Sequence, residues 1–476
     1  MDYEIVIGLE VHIQLSTRTK VFCGCSTDFG KEPNTQVCPV CLGLPGVLPV
    51  LNQTALDYSI IVGLALNCTI SEFSRFDRKH YYYPDLPKNY QISQYEYPLC
   101  QNGFLDININ DQPKRIRIRR VHLEEDAGKL LHQESISLID YNRTGMPLLE
   151  IVTEPDISSP DEAYEYLLLL KSIIKYLGVS DCDMEKGSLR CDANISVRRF
   201  GEKELGTKTE LKNMNSFKAV KDALSYEANR QIDLLRQGLS VVQETRLWNP
   251  EQEITVAMRS KEEAKDYRYF PEPDLPPLYF KQEYIQKLKN RIPELPDKKY
   301  RRFLTEYNLR PMDAQVLVAE RDDAEYAEQC LQRFKGKDRR IVINWLIGPL
   351  SSEANERKLR ICQLNVSVEG FLNLLELIEQ GRLSQLAAKQ VLKEMINTGK
   401  GAQEIIKSRD LEQISDTTYL ESVVAEVVAS NPKTCQDYQQ GKENALMFLV
   451  GQVMKKTKGK ANPQLVQELL RNKLTN

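Results

Sequence analysis

Two close cysteine pairs are the most specific chemical signal in this 476-residue chain. Cys23-x-Cys25 is followed, after twelve residues, by Cys38-Pro39-Val40-Cys41-Leu42-Gly43. Four thiolates at this spacing match a tetrahedral zinc site, and a full set of four protein ligands makes such a site structural rather than catalytic. The Cys-Pro-x-Cys-x-Gly turn lets backbone N–H groups point at thiolate sulfur. Four free thiols of a reducing compartment remain the alternative.

Carboxylates form the second signal. Glu150 lies in the apolar run Met146-Pro147-Leu148-Leu149-Glu150-Ile151-Val152, where a charge needs a counter-charge, a metal or a proton. Glu10 and His12 alternate with the apolar residues Ile5, Ile7, Leu9, Val11 and Ile13, so a strand there puts both on the face away from the core. Arg190, Asp192 and Asn194 share one face of another such stretch, and Lys208, Glu210 and Lys212 share one face of a third. Several strands offering carboxylates on one side predict an antiparallel sheet with a polar concave face, where divalent cations could sit. A solvated sheet face is the alternative for any one strand alone.

Lys114, Arg115, Arg117, Arg119 and Arg120 surround Ile116 and Ile118, after which the apolar phase slips by one to Val121 and Leu123. That slip predicts a β-bulge, a device that re-aims side chains near sites. The run also reads as a charged edge strand that resists aggregation. It leads into His122-Leu123-Glu124-Glu125-Asp126. Residues 75–91, with Lys79, His80, Tyr81 and Asn89, and residues 266–276 mix cations, aromatics and amides, a mixture that suits phosphate and base contacts or an ordered aromatic loop. No Gly-Lys pair is followed by Ser or Thr, and neither Gly-x-Gly-x-x-Gly nor Gly-x-Ser-x-Gly occurs. ATP chemistry here would rest on carboxylate-held magnesium and basic side chains instead of a glycine-rich cradle.

The elements that must position these groups follow from the wider pattern. Hydrophobic residues make up 41% and charged residues 28%, which excludes a largely disordered chain. The length allows two to four domains. The formal net charge of −3 excludes a small basic nucleic-acid module but leaves room for a local patch. No apolar run approaches membrane-spanning length, and the acidic start Met1-Asp2-Tyr3-Glu4 predicts no signal peptide, so a cytoplasmic location is expected. Proline at 293 and 296 and the glycines at 399 and 401 divide the chain into a mixed part, 1–292, a helical part, 293–405, and a helical tail, 406–476. Residues 455–476 carry six basic groups and one acid, a net of +5, which fits either a phosphate-backbone contact or a solvated tail.

Together the motifs resemble one family. Gly8-Leu9-Glu10-Val11-His12, the Cys23 to Cys41 block, Lys79 to Tyr90, Leu123 to Gly128, Asp140 to Gly145, Glu150-Ile151, Arg190 to Asn194 and Tyr267 to Pro271 are similar to the B subunits of aspartyl/glutamyl-tRNA amidotransferases, across essentially the whole chain. Lys265 departs from the pattern, since the family carries histidine there.

The resemblance implies an α+β cradle domain whose antiparallel sheet is like the glutamine synthetase and guanidino kinase fold. An all-α helical domain and an all-α YqeY-like tail follow. It implies ATP- and Mg²⁺-dependent phosphorylation of the side-chain carboxylate of Glu or Asp misacylated on tRNA(Gln) or tRNA(Asn), then amidation by ammonia. A partner amidase (glutaminase) subunit would supply the ammonia, and a small third subunit would complete a heterotrimer. On this reading Glu10, His12, Glu125, Glu150, Asp192 and Glu210 hold Mg²⁺. Glu125, Glu150 and Lys79 serve catalysis; Lys79, Arg190 and Asn89 contact the nucleotide phosphates. Cys23, Cys25, Cys38 and Cys41 hold Zn²⁺, and Lys455, Lys456, Lys458 and Lys460 contact tRNA. A non-catalytic, zinc-stabilised tRNA-binding scaffold is the rival expectation.

Overall fold

A computed structural model describes residues 2–109, 112–133, 135–260, 267–409, 411, 417–457 and 461–475. Lys265, Lys458 and Lys460, singled out above, lie outside the described residues. The backbone divides into two compact units, 1–296 and 297–476.

The first unit opens with β1 (Tyr3–Gln14), α1 (Gln53–Ala65), β2 (Thr69–Ile70), β3 (Phe73–Ser74), β4 (Asp77–His80) and β5 (Tyr90–Ser93). It continues through β6 (Cys100–Ile109), β7 (Gln112–Glu125), β8 (Lys129–Gln133), β9 (Ile136–Asp140), β10 (Pro147–Thr153) and α2 (Pro160–Leu177). After β11 (Leu189–Arg199), β12 (Thr209–Lys212) and α3 (Phe217–Arg236) come β13 (Glu244–Asn249), β14 (Ile254–Ser260), β15 (Arg268–Pro271), β16 (Leu278–Tyr279) and α4 (Gln282–Lys289).

Nine strands form one sheet in the order β14-β13-β12-β11-β1-β10-β7-β6-β2. All joins are antiparallel except β12 to β13, which is parallel. That exception departs from the purely antiparallel expectation and has a simple cause: α3 connects β12 to β13, and a helical crossover returns the chain in the same direction. β1 is central, and its alternation separates a core face from a cleft face. Ile7, Leu9, Val11 and Ile13 are buried in the main core while Gly8, Glu10, His12 and Gln14 remain half-buried on the opposite face. α2 and α3 pack beneath the core face. Ser159 caps α2 by accepting from Glu162 N, with Pro160 at the first helical position, and Ser216 caps α3 by accepting from Ala219 N.

The slip predicted around Arg119 is present. β7 and β10 change register between Val152 and Thr153, so Arg120 pairs with Val152 but Ile118 with Thr153. β7 is an interior strand, not the charged edge strand offered as one reading, because β6 and β10 flank it. Its exposed cations have acids across the way: Arg115 pairs with Asp106, Arg117 with Asp156 and Arg119 with Glu154.

A small sheet, β15-β4-β5, brings together the two aromatic segments singled out from the sequence: Lys79 pairs with Tyr269 and with Gln91. The second unit is helical among its described residues. No helix among the described residues is long and apolar enough to cross a membrane.

Candidate metal and phosphate centre on the sheet face

Cross-strand register builds the site. In an antiparallel sheet, directly opposed residues project to the same side. His122 of β7 opposes Glu150 of β10, Glu150 opposes His12 of β1, and His12 opposes Arg190 of β11. The neighbouring rung runs from Arg120 through Val152 and Glu10 to Asp192. Glu124 joins the first group from the next cleft-facing position of β7, opposite Leu148. These residues line a cleft of about 990 Å³, and Lys79, Tyr81, Tyr267 and Tyr269 approach it from the small sheet.

At the centre, His12 Nε2 lies 3.5 Å from Glu150 Oε2 and 3.8 Å from Glu124 Oε1. His122 Nε2 lies 3.4 Å from Glu150 Oε2 and 3.7 Å from Glu124 Oε2. Ligand atoms of His12, Glu124 and Glu150 all fall within 4.8 Å of one another. Two carboxylates and an imidazole at these separations fit a small divalent cation with bonds of roughly 2.1 Å, and hard oxygen donors favour magnesium or manganese.

The electrostatics reinforce this fit. Burial would raise the Glu150 carboxyl, but His122 and His12 outweigh it and hold Glu150 well below the usual carboxylate range. Burial would lower His12, yet the hydrogen bond and charge of Glu150, with Glu124, leave it above its ordinary value, and His122 is raised by the same two acids. Glu10 is pushed up, first by burial and then by Glu150, Glu210 and Asp192. Such crowding of like charge favours a cation.

Basic groups rim the acids. Lys79 resists the lowering effect of burial because Glu124, Tyr269 and Glu150 hold it above its usual value, and its Nζ sits 4.8 Å from the Tyr267 ring centre. Arg190 Nη2 donates to Asp126 Oδ2 at 2.8 Å, which Gln14 Nε2 also reaches at 2.8 Å. Lys212 Nζ donates to Asp192 Oδ2 at 2.6 Å and lies 3.3 Å from Glu210 Oε1. Glu210 accepts from Thr245 Oγ1 at 2.8 Å.

Of the residues predicted from sequence, the structure thus brings Glu10, His12, Glu150, Asp192, Glu210, Lys79 and Arg190 to one cleft. It does not bring Glu125 or Asn89. Glu125 points through to the other face, where it pairs with Lys88 and accepts from Ile92 N at 2.9 Å. Past the bulge the odd positions Val121 and Leu123 face the core, so Glu125 follows them and Glu124 takes the cleft. Asn89 adopts a left-handed turn, φ 62°, and lines a shallow surface hollow instead. Sequence reasoning missed His122, Glu124, Asp126 and Lys212. The phase slip already contained the signal for the first two, because it makes even positions face the acids.

The cysteines cluster as their spacing predicts. Sulfur atoms of Cys23, Cys25, Cys38 and Cys41 lie within 4.8 Å of one another, a soft donor set whose separations fit zinc–sulfur bonds of roughly 2.3 Å. Cys38 N donates to Cys41 Sγ at 3.2 Å. A hydrogen bond from Cys23 brings the Cys41 thiol down to about 4, with Lys20 and the Cys38 backbone contributing. Lys20 itself is buried and donates to Gln36 O at 2.7 Å.

In the second unit, Lys455 and Lys456 occupy the last turn of helix Asn444–Lys456, where Lys456 pairs with Glu426.

The chain matches the GatB/GatE catalytic domain family over residues 5–286 and the GatB domain family over residues 325–474. It is 54% identical to the aspartyl/glutamyl-tRNA(Asn/Gln) amidotransferase B subunit of Carboxydothermus hydrogenoformans, with 99% of each chain covered. It is also 54% identical to the proteins of the same name from Caldanaerobacter subterraneus subsp. tengcongensis and Moorella thermoacetica, with all of each chain covered. The match to both family models and the similarity along the full length of these relatives place the chain in the family of aspartyl/glutamyl-tRNA(Asn/Gln) amidotransferase B subunits.

Proposed function

We propose that this chain is the activating subunit of a tRNA-dependent amidotransferase, and that the sheet-face cleft is where a misacylated Glu or Asp side chain meets ATP. The observation that carries this reading is the convergence of His12, Glu124 and Glu150 from three strands in a cleft that Lys79 and Arg190 also line. Hydroxide-like oxygen is a poor leaving group, so a carboxylate does not accept an amine directly. Attack of the carboxylate oxygen on the γ-phosphorus expels ADP and gives an acyl phosphate. Ammonia then forms the C–N bond as phosphate leaves, and nitrogen loses a proton to give the amide.

Both reactants of the first step are anions, which the site must bring together. A divalent cation held by His12, Glu124 and Glu150 would neutralise that repulsion and polarise the transferring phosphate. Glu10, Asp192 and Glu210 extend the acidic floor for a second cation, and Lys79 and Arg190 supply cationic contacts to phosphate oxygens. Tyr81, Tyr267 and Tyr269 help exclude water from the acyl phosphate.

Further parts of the reading follow from the family. Ammonia comes from a partner glutaminase subunit, and a small third subunit completes a heterotrimer. The sheet resembles that of glutamine synthetase and guanidino kinases. Cys23, Cys25, Cys38 and Cys41 hold a structural Zn²⁺, and the place of action is the cytoplasm, where aminoacyl-tRNA is used. We also take residues 406–476 as a separate, YqeY-like tRNA-binding tail. Its support is the self-contained apolar cluster of Leu420, Val424, Leu449, Val453, Val466 and Leu470. The test is phosphate release from ATP by the assembled complex, expected only with Glu- or Asp-tRNA present and abolished by Glu150→Gln. A non-catalytic scaffold is not favoured, because tRNA binding needs no buried histidine–carboxylate cluster; phosphate release unaffected by Glu150→Gln would restore it.

A further inference from the structure

Three of the four arginines on β7 have acids of their own: Arg115 holds Asp106, Arg117 holds Asp156 and Arg119 holds Glu154. Arg120 is different. It is half-buried, sits opposite Val152 on β10 and lines the cleft. Among the described residues it forms no ion pair. Its Nη1 donates to Tyr95 O at 3.4 Å, and its Nε is buried without a hydrogen-bond partner. A guanidinium is always charged and offers five donors, so this one suits an anion that the fold does not itself supply.

Tyr95 stands beside it. Its ring stacks on that of Tyr269, with centroids 4.2 Å apart and planes 15° from parallel. Both residues line the cleft, yet Tyr95 is 54% exposed, so the stack ends in an open ring. The backbone holds that ring in place: Tyr95 N donates to the buried Asp77 Oδ2 at 3.0 Å, and Tyr95 O accepts from Arg120. The other aromatic pair at the cleft is built differently. Tyr81 and Tyr267 meet edge-on at 60°, and Lys79 Nζ already occupies the neighbourhood of the Tyr267 ring. An exposed ring fixed in this way gives up little entropy when a flat group stacks on it.

We propose that the Tyr95–Tyr269 stack is the platform for the 3′-terminal adenosine of the misacylated tRNA, the base lying on Tyr95 and Arg120 binding the phosphate on its 5′ side. The proposal rests on the reading of the cleft as the place of carboxylate activation. An ester joins the amino acid to the terminal ribose, so a side chain held at the cation cluster brings that adenosine to the cleft wall. Unpaired bases at the end of a strand are recognised by stacking on aromatic rings, with cationic side chains at the backbone. The spacing agrees. Arg120 is two residues from His122 along β7, roughly 7 Å, about the span of an extended glutamyl group from side-chain carboxylate to ester. Arg190, taken above as a contact to nucleotide phosphate, lies three strands away on β11, so both anions can be held at once.

The experiment uses two probes, 3′-amide-linked glutamyl-adenosine with and without a 5′-phosphate, as competitors of Glu-tRNA in phosphate release from ATP by the assembled complex. The wild type should bind the phosphorylated probe more tightly. Tyr95→Leu should weaken both probes by about tenfold, and Tyr95→Phe, which keeps the ring, should retain the wild-type affinity. Arg120→Gln should remove only the advantage conferred by the 5′-phosphate. The KM for ATP should stay unchanged in all three variants. Unchanged probe affinity in Tyr95→Leu, or a KM for ATP raised as much as the probe constants, would overturn the proposal. So would probes that fail to compete in the wild type. Failure of the underlying reading looks different: Glu150→Gln would then leave phosphate release intact.

Discussion

Glu124 and Glu125 are adjacent in sequence and lie on opposite sides of the sheet. Glu124 Oε1 is 3.8 Å from His12 Nε2 in the cleft, whereas Glu125 is paired with Lys88 beneath it. Glu124→Gln should therefore weaken Mn²⁺ binding by about tenfold or more. Glu125→Gln should leave it largely unchanged but strand a buried lysine, costing about 3–5 kcal/mol of stability. Manganese titration followed by EPR, with urea unfolding of the same variants, separates the two. Equal loss of metal affinity in both would refute the assignment of faces.

Metal affinity should fall with acid. His12 is held above its ordinary value by Glu150 and Glu124, so a proton competes for Nε2 at higher pH than for a free imidazole, while Glu150, held low, stays ionised. As pH falls through the titration of His12, which lies above the ordinary imidazole value of about 6.5, Mn²⁺ affinity should drop, approaching tenfold per pH unit once His12 is protonated. His12→Gln should bind more weakly and with a flatter profile. A wild-type profile flat across this window would count against His12 as a ligand.

Asp126 links the cleft to the fold. Burial would raise its carboxyl, but Arg190, Arg143 and Gln14 hold it below its usual value. A depressed carboxylate contributes stability above its unfolded pKa of about 3.9, and that contribution is lost as pH falls through the lower folded value. Asp126→Asn should cost about 1–2 kcal/mol at neutral pH, because Arg190 loses its hydrogen-bonded acid but is partly exposed and keeps Glu124 and Asp192 nearby. The gap to wild type should narrow below about pH 4. Urea unfolding at several pH values measures this; a pH-independent gap would exclude the linkage.

The cysteine loop should carry metal. Cys41→Ser should lower bound zinc, read by atomic absorption, and lower the unfolding temperature. A strong chelator should destabilise the wild type but not the variant. A wild-type protein that holds no zinc and ignores the chelator would leave the four residues as thiols.

Charge reversal in the tail should flatten the salt dependence of tRNA binding, by about one unit of log–log slope for each phosphate no longer neutralised. Lys455→Glu should have the larger effect, because Lys456 is already engaged by Glu426. Identical slopes in wild type and both variants would remove these lysines from the tRNA surface.

Period-two alternation was enough to reveal that Glu10 and His12 share a face, and Glu150 within an apolar run was enough to reveal a buried charge in need of partners. Each is a local pattern that any folded strand must obey. The bulge at Arg119 is equally visible as a phase slip, and the slip puts His122 and Glu124 on one face; that this face is the one carrying Glu150 depends on the pairing of β7 with β10. Asn89 shows the converse: its composition suited phosphate, but a left-handed turn points it elsewhere.

Sequence alone therefore determined the residue types, the strand periodicity and the cysteine spacing, since these act over a few bonds. Only the tertiary structure decided that His122, Glu150 and His12 stand on one rung and that Lys79 reaches over from a separate sheet. Alternation fixes which face each strand buries, but which distant strands become neighbours, and at which rung, is settled only when the whole core packs.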